Sequence, residues 1–597
     1  MSQTEEKEVA IRFEPSGLEA RAQAGTTVLD AALETGVHIN ASCGGKGVCG
    51  KCRVRVEEGS VEGGVSEKLS ARDKEEGVRL ACQAKLTGDV TVRVAEESAL
   101  DTVALKALAA GGVQEATLIG ASQLKEEGRF DPALIKKLVT APAPTLEDNR
   151  CDVNRLLDSL RQQGERRFEL DFEAIRDLPE AWRQGEWTAT ATITRPVDRE
   201  TGYNHIIRVE PGDTTDRMLA VAIDLGTTTV WAQFMDLISG EVLGTEGEFN
   251  AQIGYGEDVI TRIVYANKPG GLKRLQEAAA QSINEVLKSL ARKTGIDLAD
   301  VSLATFAGNT TMTQLFLGVD PKHLRLEPYV PAASYYPPVK AADMGLALPD
   351  HVSLLVFPAV ASYVGGDVVA GVMGSGVHRD ERLTLFIDLG TNGEVVVGNQ
   401  DWMACAAASA GPAFEGGGIK FGMRASKGAI ENFSVNPKTG DPAIVTVGRA
   451  LPKGICGSGL IAAVAALFMA GMMDERGKFN LDHPSDRLRE GEDGPEYVLV
   501  YAEDSALDRD ITLTEPDVDN LMRAKGAMYA AYITLLESVG LTIHELDRVI
   551  LAGGFGQSIN VERAQIIGLL PELPAERFNF VGNGSLLGAR LVALSNP

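Results

Sequence analysis

Four cysteines near the N-terminus have the type and spacing to hold a metal centre. Cys43, Cys49 and Cys52 lie in Ser42-Cys43-Gly44-Gly45-Lys46-Gly47-Val48-Cys49-Gly50-Lys51-Cys52, a C-x5-C-x2-C loop, and Cys82 follows in Leu80-Ala81-Cys82-Gln83. Thiolates are soft ligands that suit iron–sulfur clusters or zinc, and four of them complete either site. Gly44, Gly45, Gly47 and Gly50 let the backbone wrap a bulky cluster and aim amides at its sulfurs. A zinc ribbon carries two C-x2-C pairs about 15–20 residues apart, and only one such pair is present. The pattern therefore favours a [2Fe–2S] centre over zinc, and with it one-electron chemistry. Cys151, Cys405 and Cys456 are scattered. With no signal peptide after Met1-Ser2-Gln3-Thr4-Glu5-Glu6-Lys7, they read as reduced cytosolic thiols packed in the interior.

A second chemistry lies in the C-terminal half, as an internal repeat. Ala220-Val221-Ala222-Ile223-Asp224-Leu225-Gly226-Thr227-Thr228-Thr229 recurs as Leu385-Phe386-Ile387-Asp388-Leu389-Gly390-Thr391-Asn392-Gly393-Glu394. Each copy is a hydrophobic strand, an Asp-Leu-Gly-Thr turn and a second strand. Glycine lets such a turn approach an oxyanion, backbone N–H groups and Thr hydroxyls donate to phosphate, and the Asp holds a hydrated Mg²⁺. One D-x-G-T turn is weak evidence, but two after equivalent strands make Asp224 and Asp388 candidate catalytic residues. Gly226, Thr227, Thr228, Gly390, Thr391, Asn392 and Gly393 become candidate phosphate binders. A third element, Arg548-Val549-Ile550-Leu551-Ala552-Gly553-Gly554, is a strand running into a glycine turn. There Gly553 and Gly554 let a flat adenosine lie on bare backbone.

The elements that must position these groups are legible in outline. Val9-Ala10-Ile11-Arg12-Phe13 and Leu18-Glu19-Ala20-Arg21-Ala22 read as a hairpin, and Thr26-Thr27 caps a helix over 28–35, with Asp30 in its first turn. Cys52–Val56 and Val90–Val94 alternate as half-buried strands. Residues 99–140 look like a connector of Ala- and Leu-rich helical stretches, and 141–216 like a small mixed unit with helices near 153–163 and 172–176. From 217 onward strands, glycine turns and helices alternate as in an α/β domain. The net charge of −25 argues against a nucleic-acid partner, since there is no basic field to release counterions. Ile455 to Met473 carries no charge and is long enough for a membrane span. It is Ala-rich and lacks a basic flank, which favours a buried helix, a soluble protein and a cytoplasmic location.

Residues 8–96 resemble a [2Fe–2S] ferredoxin of adrenodoxin-like spacing, which implies a β-grasp sheet with the cluster loop on its rim. The three glycine turns resemble the phosphate-1, phosphate-2 and adenosine motifs of the acetate and sugar kinase, Hsp70 and actin superfamily over about 218–597. That likeness implies two duplicated lobes clamping Mg-ATP. Segments around Glu257, Asp258, Asn309, Asp367 and Glu415 resemble the same group, and the sequence leaves these residues open between cleft and capping roles. The whole chain is similar to the reductive activators of corrinoid-dependent methyltransferase systems. This implies an α/β multidomain enzyme with a ferredoxin domain (1–98), linker (99–140), middle domain (141–216) and actin-like ATPase (217–597). It also implies ATP hydrolysis coupled to electron transfer, with a [2Fe–2S] cluster, ATP and Mg²⁺ as cofactors. The expected partners are a Co(II) corrinoid protein restored to Co(I), an upstream low-potential electron donor and a second copy in a homodimer. The rival readings are an activator of another low-potential metalloenzyme, and a ferredoxin-type electron carrier with a regulatory ATPase.

Overall fold

The structure is a computed structural model that describes residues 8–37, 39, 45, 47, 50, 52–94, 120–196, 201–390, 392–554 and 559–595. Alternation in Glu8–Glu14 buries Val9, Ile11 and Phe13, and in Val90–Val94 it buries Val90, Val92 and Val94. These strands pair in parallel inside a five-stranded sheet ordered Leu18–Gln23, Glu8–Glu14, Val90–Val94, Arg53–Glu58, Val78–Leu80. Helix Val28–Thr35 adds Val28, Leu29, Ala31 and Ala32 to the same core. Thr27 caps it by accepting from the Asp30 amide, while its hydroxyl donates to the Asp30 carboxylate. This is the expected β-grasp arrangement.

The next unit is a four-stranded sheet ordered Leu134–Thr140, Thr188–Thr194, Asn204–Pro211, Phe168–Leu170. Helices Asp152–Gln162 and Phe172–Gln184 cover it with Leu156, Leu160, Leu178 and Trp182. The sequence boundary at 140/141 needs correction. Strand Leu134–Thr140 pairs with Thr188–Thr194 along its full length, so the unit begins within the segment read as connector. The lysines of Leu-Ile-Lys-Lys-Leu-Val-Thr blur the alternation, and only the distant partner strand reveals it.

Two lobes follow. The first holds a six-stranded sheet ordered Val242–Phe249, Thr229–Asp236, Leu219–Leu225, Val301–Gly308, Ser353–Val356, Val339–Lys340. The second holds five strands ordered Met403–Ala408, Gly393–Gly398, Thr384–Leu389, Arg548–Ala552, Phe578–Gly582. In each, the strand before the Asp turn pairs antiparallel with the strand after it and parallel with the one beyond. The sequence repeat is thus a structural duplication. Both central strands are apolar almost throughout, as strands covered on two faces must be.

Two helices cross between the lobes. Gly366–Ser375 leads from the first sheet to the second. Gly584–Leu594 follows the last second-lobe strand yet packs back on the first, where the Thr305 hydroxyl donates to the Ala589 carbonyl at 2.8 Å. The helices meet backbone to backbone: a Cβ on Gly588 would stand 2.0 Å from the Ala370 carbonyl oxygen. The charge-free stretch becomes helix Gly457–Met469, buried from Gly457 to Leu467 in the second-lobe core. Among the described residues no helix is long and apolar enough to cross a membrane.

Candidate functional site

Asp224 and Asp388 sit near the C-terminal ends of equivalent strands, where open α/β sheets collect their ligands. Asp224 is buried, and its carboxylate accepts from Asn583 Nδ2 and Ser585 Oγ, each at 2.8 Å. Asn583 also caps helix Gly584–Leu594 by accepting from the Leu586 amide. The first-lobe aspartate is therefore held by the first turn of a helix that enters from the second lobe. Gly553, at φ +92°, lies where a Cβ would be 2.8 Å from Asp388 Oδ1 and 2.4 Å from the Leu389 carbonyl. A side chain there would collide with the second Asp turn, whereas Gly554 faces open space.

Two further carboxylates join these. Asp367 lies in the first turn of the crossing helix Gly366–Ser375, and Glu394 stands directly opposite Asp388 in the ladder. Burial, then Asp388 and Asp224, push Asp367 up to about 7. Burial, then Asp224, push Asp388 up to about 7. Glu394 is raised well above the usual carboxylate range by burial, then by Asp367 and Asp388. Burial also raises Asp224, against its two neutral donors. The influences on all four are burial, one another and neutral groups, so a cation is the natural complement. Among the described residues, no three such ligands converge tightly enough to hold a bare ion. A hydrated Mg²⁺, which leans on one or two carboxylates plus phosphate oxygens, would meet that demand.

The turns themselves are braced. The Gly226 amide donates to the Thr229 carbonyl, and Asn309 Nδ2 donates to Thr227 Oγ1 at 3.1 Å. Asn309 also caps helix Thr310–Phe316. In the second turn the Gly390 amide donates to the Asn392 carbonyl, while Thr391 lies outside the described residues. Gly393 is a packing position, since a Cβ there would overlap the Met528 sulfur at 1.9 Å. Asp258 is a cap for helix Val259–Ala266, and Glu415 ends the short turn Pro412–Glu415.

At the cysteine loop, Cys52 is buried and its sulfur lies 3.3 Å from that of Cys82, with no disulfide between them. Two thiolates on one tetrahedral metal, with bonds of about 2.3 Å, stand roughly 3.7 Å apart, so this pair fits one metal of a cluster. The sulfur–sulfur hydrogen bond lowers the Cys52 thiol to about 7 against the cost of burial. Gly45, Gly47 and Gly50 all take left-handed φ, and a Cβ on Gly47 would strike the Gln83 side chain at 2.2 Å. Cys43 and Cys49 lie outside the described residues.

Family profiles match nearly the whole chain in order. A 2Fe-2S iron-sulfur cluster binding domain covers 11–87, the RACo linker region 123–216, the RACo middle region 219–380, and the C-terminal ASKHA domain of RACo 382–597. The corrinoid activation enzyme RamQ of Eubacterium limosum is 32% identical over 578 residues, 95% of this chain and 90% of that protein. The chain belongs to the RACo family of corrinoid activators. A solved structure, a reductive activator for corrinoid,iron-sulfur protein, superposes with TM-score 0.70 at 40% identity, covering 98% of this chain and 92% of that one. The [Co(II) methylated amine-specific corrinoid protein] reductase of Methanosarcina barkeri is 26% identical over 63% of this chain and 70% of its own. The RACo linker profile takes in strand Leu134–Thr140, in keeping with the earlier start of that unit.

Within this family fold, three cleft residues escaped the sequence reading: Glu394, Asn583 and Ser585. Glu394 had a signal, a lone carboxylate in the otherwise apolar Gly-Glu-Val-Val-Val-Gly strand. Asn583 and Ser585 had none, because their partner Asp224 lies 359 and 361 residues away.

Proposed function

We propose that the protein is an ATP-dependent reductive activator that returns an inactive Co(II) corrinoid protein of a methyltransferase system to Co(I). One observation carries the reading: a four-cysteine ferredoxin unit and a duplicated Asp-turn cleft share one chain of the corrinoid-activator family. Cys43, Cys49, Cys52 and Cys82 would hold the [2Fe–2S] cluster, which supplies a single low-potential electron when bound. Asp224, Asp367, Asp388 and Glu394 would hold hydrated Mg²⁺. Gly226, Thr227, Thr228, Gly390, Thr391 and Asn392 receive the phosphates, and Gly553 and Gly554 form the wall beside the adenosine.

A fusion of these parts has an energetic reason. Plant-type [2Fe–2S] centres lie near about −400 mV, and each ~59 mV uphill costs a one-electron transfer about tenfold in equilibrium. An acceptor below that potential needs a second source of free energy, and ATP hydrolysis provides it through conformation. The route on this chain runs from Asp224 to Asn583 and Ser585 at the start of a crossing helix. A shift of the phosphate turn thereby moves the element that joins the lobes. By its resemblance to the family the protein takes electrons from an upstream low-potential donor, acts as a homodimer and works in the cytoplasm.

Anaerobic absorbance of the cognate corrinoid protein tests this. The Co(I) band should form with the full chain, reductant and MgATP, and should fail without ATP or with EDTA. Cys52→Ala should lose the band while still hydrolysing ATP. Equal Co(I) yield with and without ATP would refute the coupling.

A further inference from the structure

The segment around Glu257 and Asp258 leads, in the fold, to a fully buried cation of the first lobe. Arg262, on helix Val259–Ala266, is 0% exposed. Its guanidinium is spread over four acceptors from different parts of the lobe. Nε donates to the Gly256 carbonyl at 2.8 Å, Nη1 to Gln252 Oε1 at 3.2 Å and to the Met312 sulfur at 3.1 Å, and Nη2 to the Thr227 carbonyl at 2.5 Å. Asn250, also 0% exposed, takes the carbonyls on either side: its Nδ2 donates to Gly226 at 2.9 Å and its backbone amide to Thr228 at 3.0 Å. Gln252 ties the two together, accepting from both Asn250 Nδ2 and Arg262 Nη1 through Oε1.

Three consecutive carbonyls of one turn are thus drawn to one side. In a planar trans peptide the N–H points opposite the carbonyl of the preceding residue. Holding the Gly226 and Thr227 carbonyls therefore aims the Thr227 and Thr228 N–H groups away from the clamp, side by side. Successive amides aimed together form an anion-binding concavity. The packing leaves no slack: a Cβ on Gly256 would lie 2.5 Å from Thr261 Oγ1 and 3.0 Å from the Arg262 amide.

We infer that Arg262, with Asn250, is a positioning residue for the nucleotide phosphates: it acts through the Thr227 carbonyl to preset the amides of the phosphate-1 turn. The inference rests on the reading of the cleft as a nucleotide site. Burial lowers the guanidinium to about 9 while Asp258 and then Glu257 favour its charge, so it stays cationic near neutral pH. A lysine keeps the charge and much of the stem but cannot span Gly256, Gln252 and Thr227 at once.

The test is calorimetric titration of the full chain, in the presence of Mg²⁺, with ATP and separately with adenosine. Wild type, Arg262→Lys and Arg262→Met are compared, with cluster absorbance and the thermal midpoint as controls. Arg262→Lys should keep the cluster and a cooperative melt with the midpoint lowered by several degrees, weaken ATP by about tenfold or more, and leave adenosine within about twofold. Arg262→Met should show the same split more strongly, and if it does not fold, the lysine variant alone decides. ATP affinity unchanged in Arg262→Lys, or adenosine weakened as much as ATP, would overturn the assignment. Wild type that binds no ATP would overturn the cleft reading itself, an outcome distinct from a wild type that binds and a variant that binds equally well.

Discussion

The cleft carboxylates are held at a cost to the fold, because burying a charge without a partner is unfavourable by several kcal/mol. Glu394 shows this most plainly, standing across the ladder from Asp388 with burial and two neighbouring carboxylates raising it. Glutamine mimics the protonated form that this environment favours. Glu394→Gln should therefore keep or raise the thermal midpoint without Mg²⁺, yet slow ATP hydrolysis by about tenfold or more. Asp388→Ala should abolish hydrolysis and leave cluster absorbance intact, since the cysteines belong to another unit. Hydrolysis at the wild-type rate in Glu394→Gln would make it a packing residue. The two aspartates were legible because a turn motif is local. Asp367 was visible as a residue but not as a member of the group, which forms only when two strands and a helix converge.

Among the elements, the paired crossing helices are the ones that join the two lobes, and the proposed coupling runs through them. Gly371, Gly374, Gly584 and Gly588 bring them into direct backbone contact: a Cβ on Gly374 would stand 2.8 Å from the Gly588 amide, and one on Gly584 3.2 Å from Gly371 Cα. At Gly588 the nearest atoms are all Ala370 backbone, so overpacking there must move a whole helix and costs about 1–3 kcal/mol or more. Gly588→Val should lower the thermal midpoint by several degrees and reduce ATP-dependent Co(I) formation more than ATP binding. Differential scanning calorimetry and the corrinoid assay would read the two effects. A variant that melts and couples as wild type does would show the crossing to be loose. The glycines were visible in the sequence, but not their purpose, because each helix's partner lies far along the chain.

At the scale of the molecule, the units are joined with different strength. The ferredoxin helix Val28–Thr35 reaches the first lobe through Asp30, 4.0 Å from Lys268, with both side chains about half exposed. An exposed pair of this kind contributes about 0–1 kcal/mol. The second unit is tied more firmly. Leu124, Leu134 and Ile207 share a core with Met218, Leu303 and Leu594, and the Asp131 and Ala133 amides donate to the Leu594 and Ala593 carbonyls. At the same boundary Arg208 donates to the Ala299 carbonyl, and buried His351 touches the Val301 carbonyl. Burial first, then Arg208, lower His351 to about 4. That is below the unfolded value near 6.5, so the unfolded chain takes up the proton first as pH falls. The contribution is complete above about pH 6.5 and is lost towards pH 4, on the order of 3 kcal/mol in all. His351→Gln should accordingly flatten the acid-side fall of the thermal midpoint between pH 6.5 and 4. An unchanged slope would place the acid sensitivity elsewhere.

What this chain does was largely determined by short stretches of sequence. Three cysteines in a glycine loop with a fourth farther along the chain, two Asp-Leu-Gly-Thr turns and a glycine-ended strand are each short signals, read from side-chain type and backbone freedom. The order of the units follows from the same stretches, while the β-grasp and duplicated-lobe architecture was implied by their resemblance to the ferredoxins and to the acetate and sugar kinase, Hsp70 and actin superfamily. Tertiary structure alone decided how the cleft is held. Asn583 and Ser585 reach Asp224 from the far end of the chain, Glu394 and Asp367 close on Asp388, and Arg262 seizes the back of the first Asp-Leu-Gly-Thr turn. These are contacts between polar groups that look like ordinary surface or capping residues in one dimension. Their meaning comes from burial, which strips water from them and leaves one another as partners, and burial is a property of the packed fold.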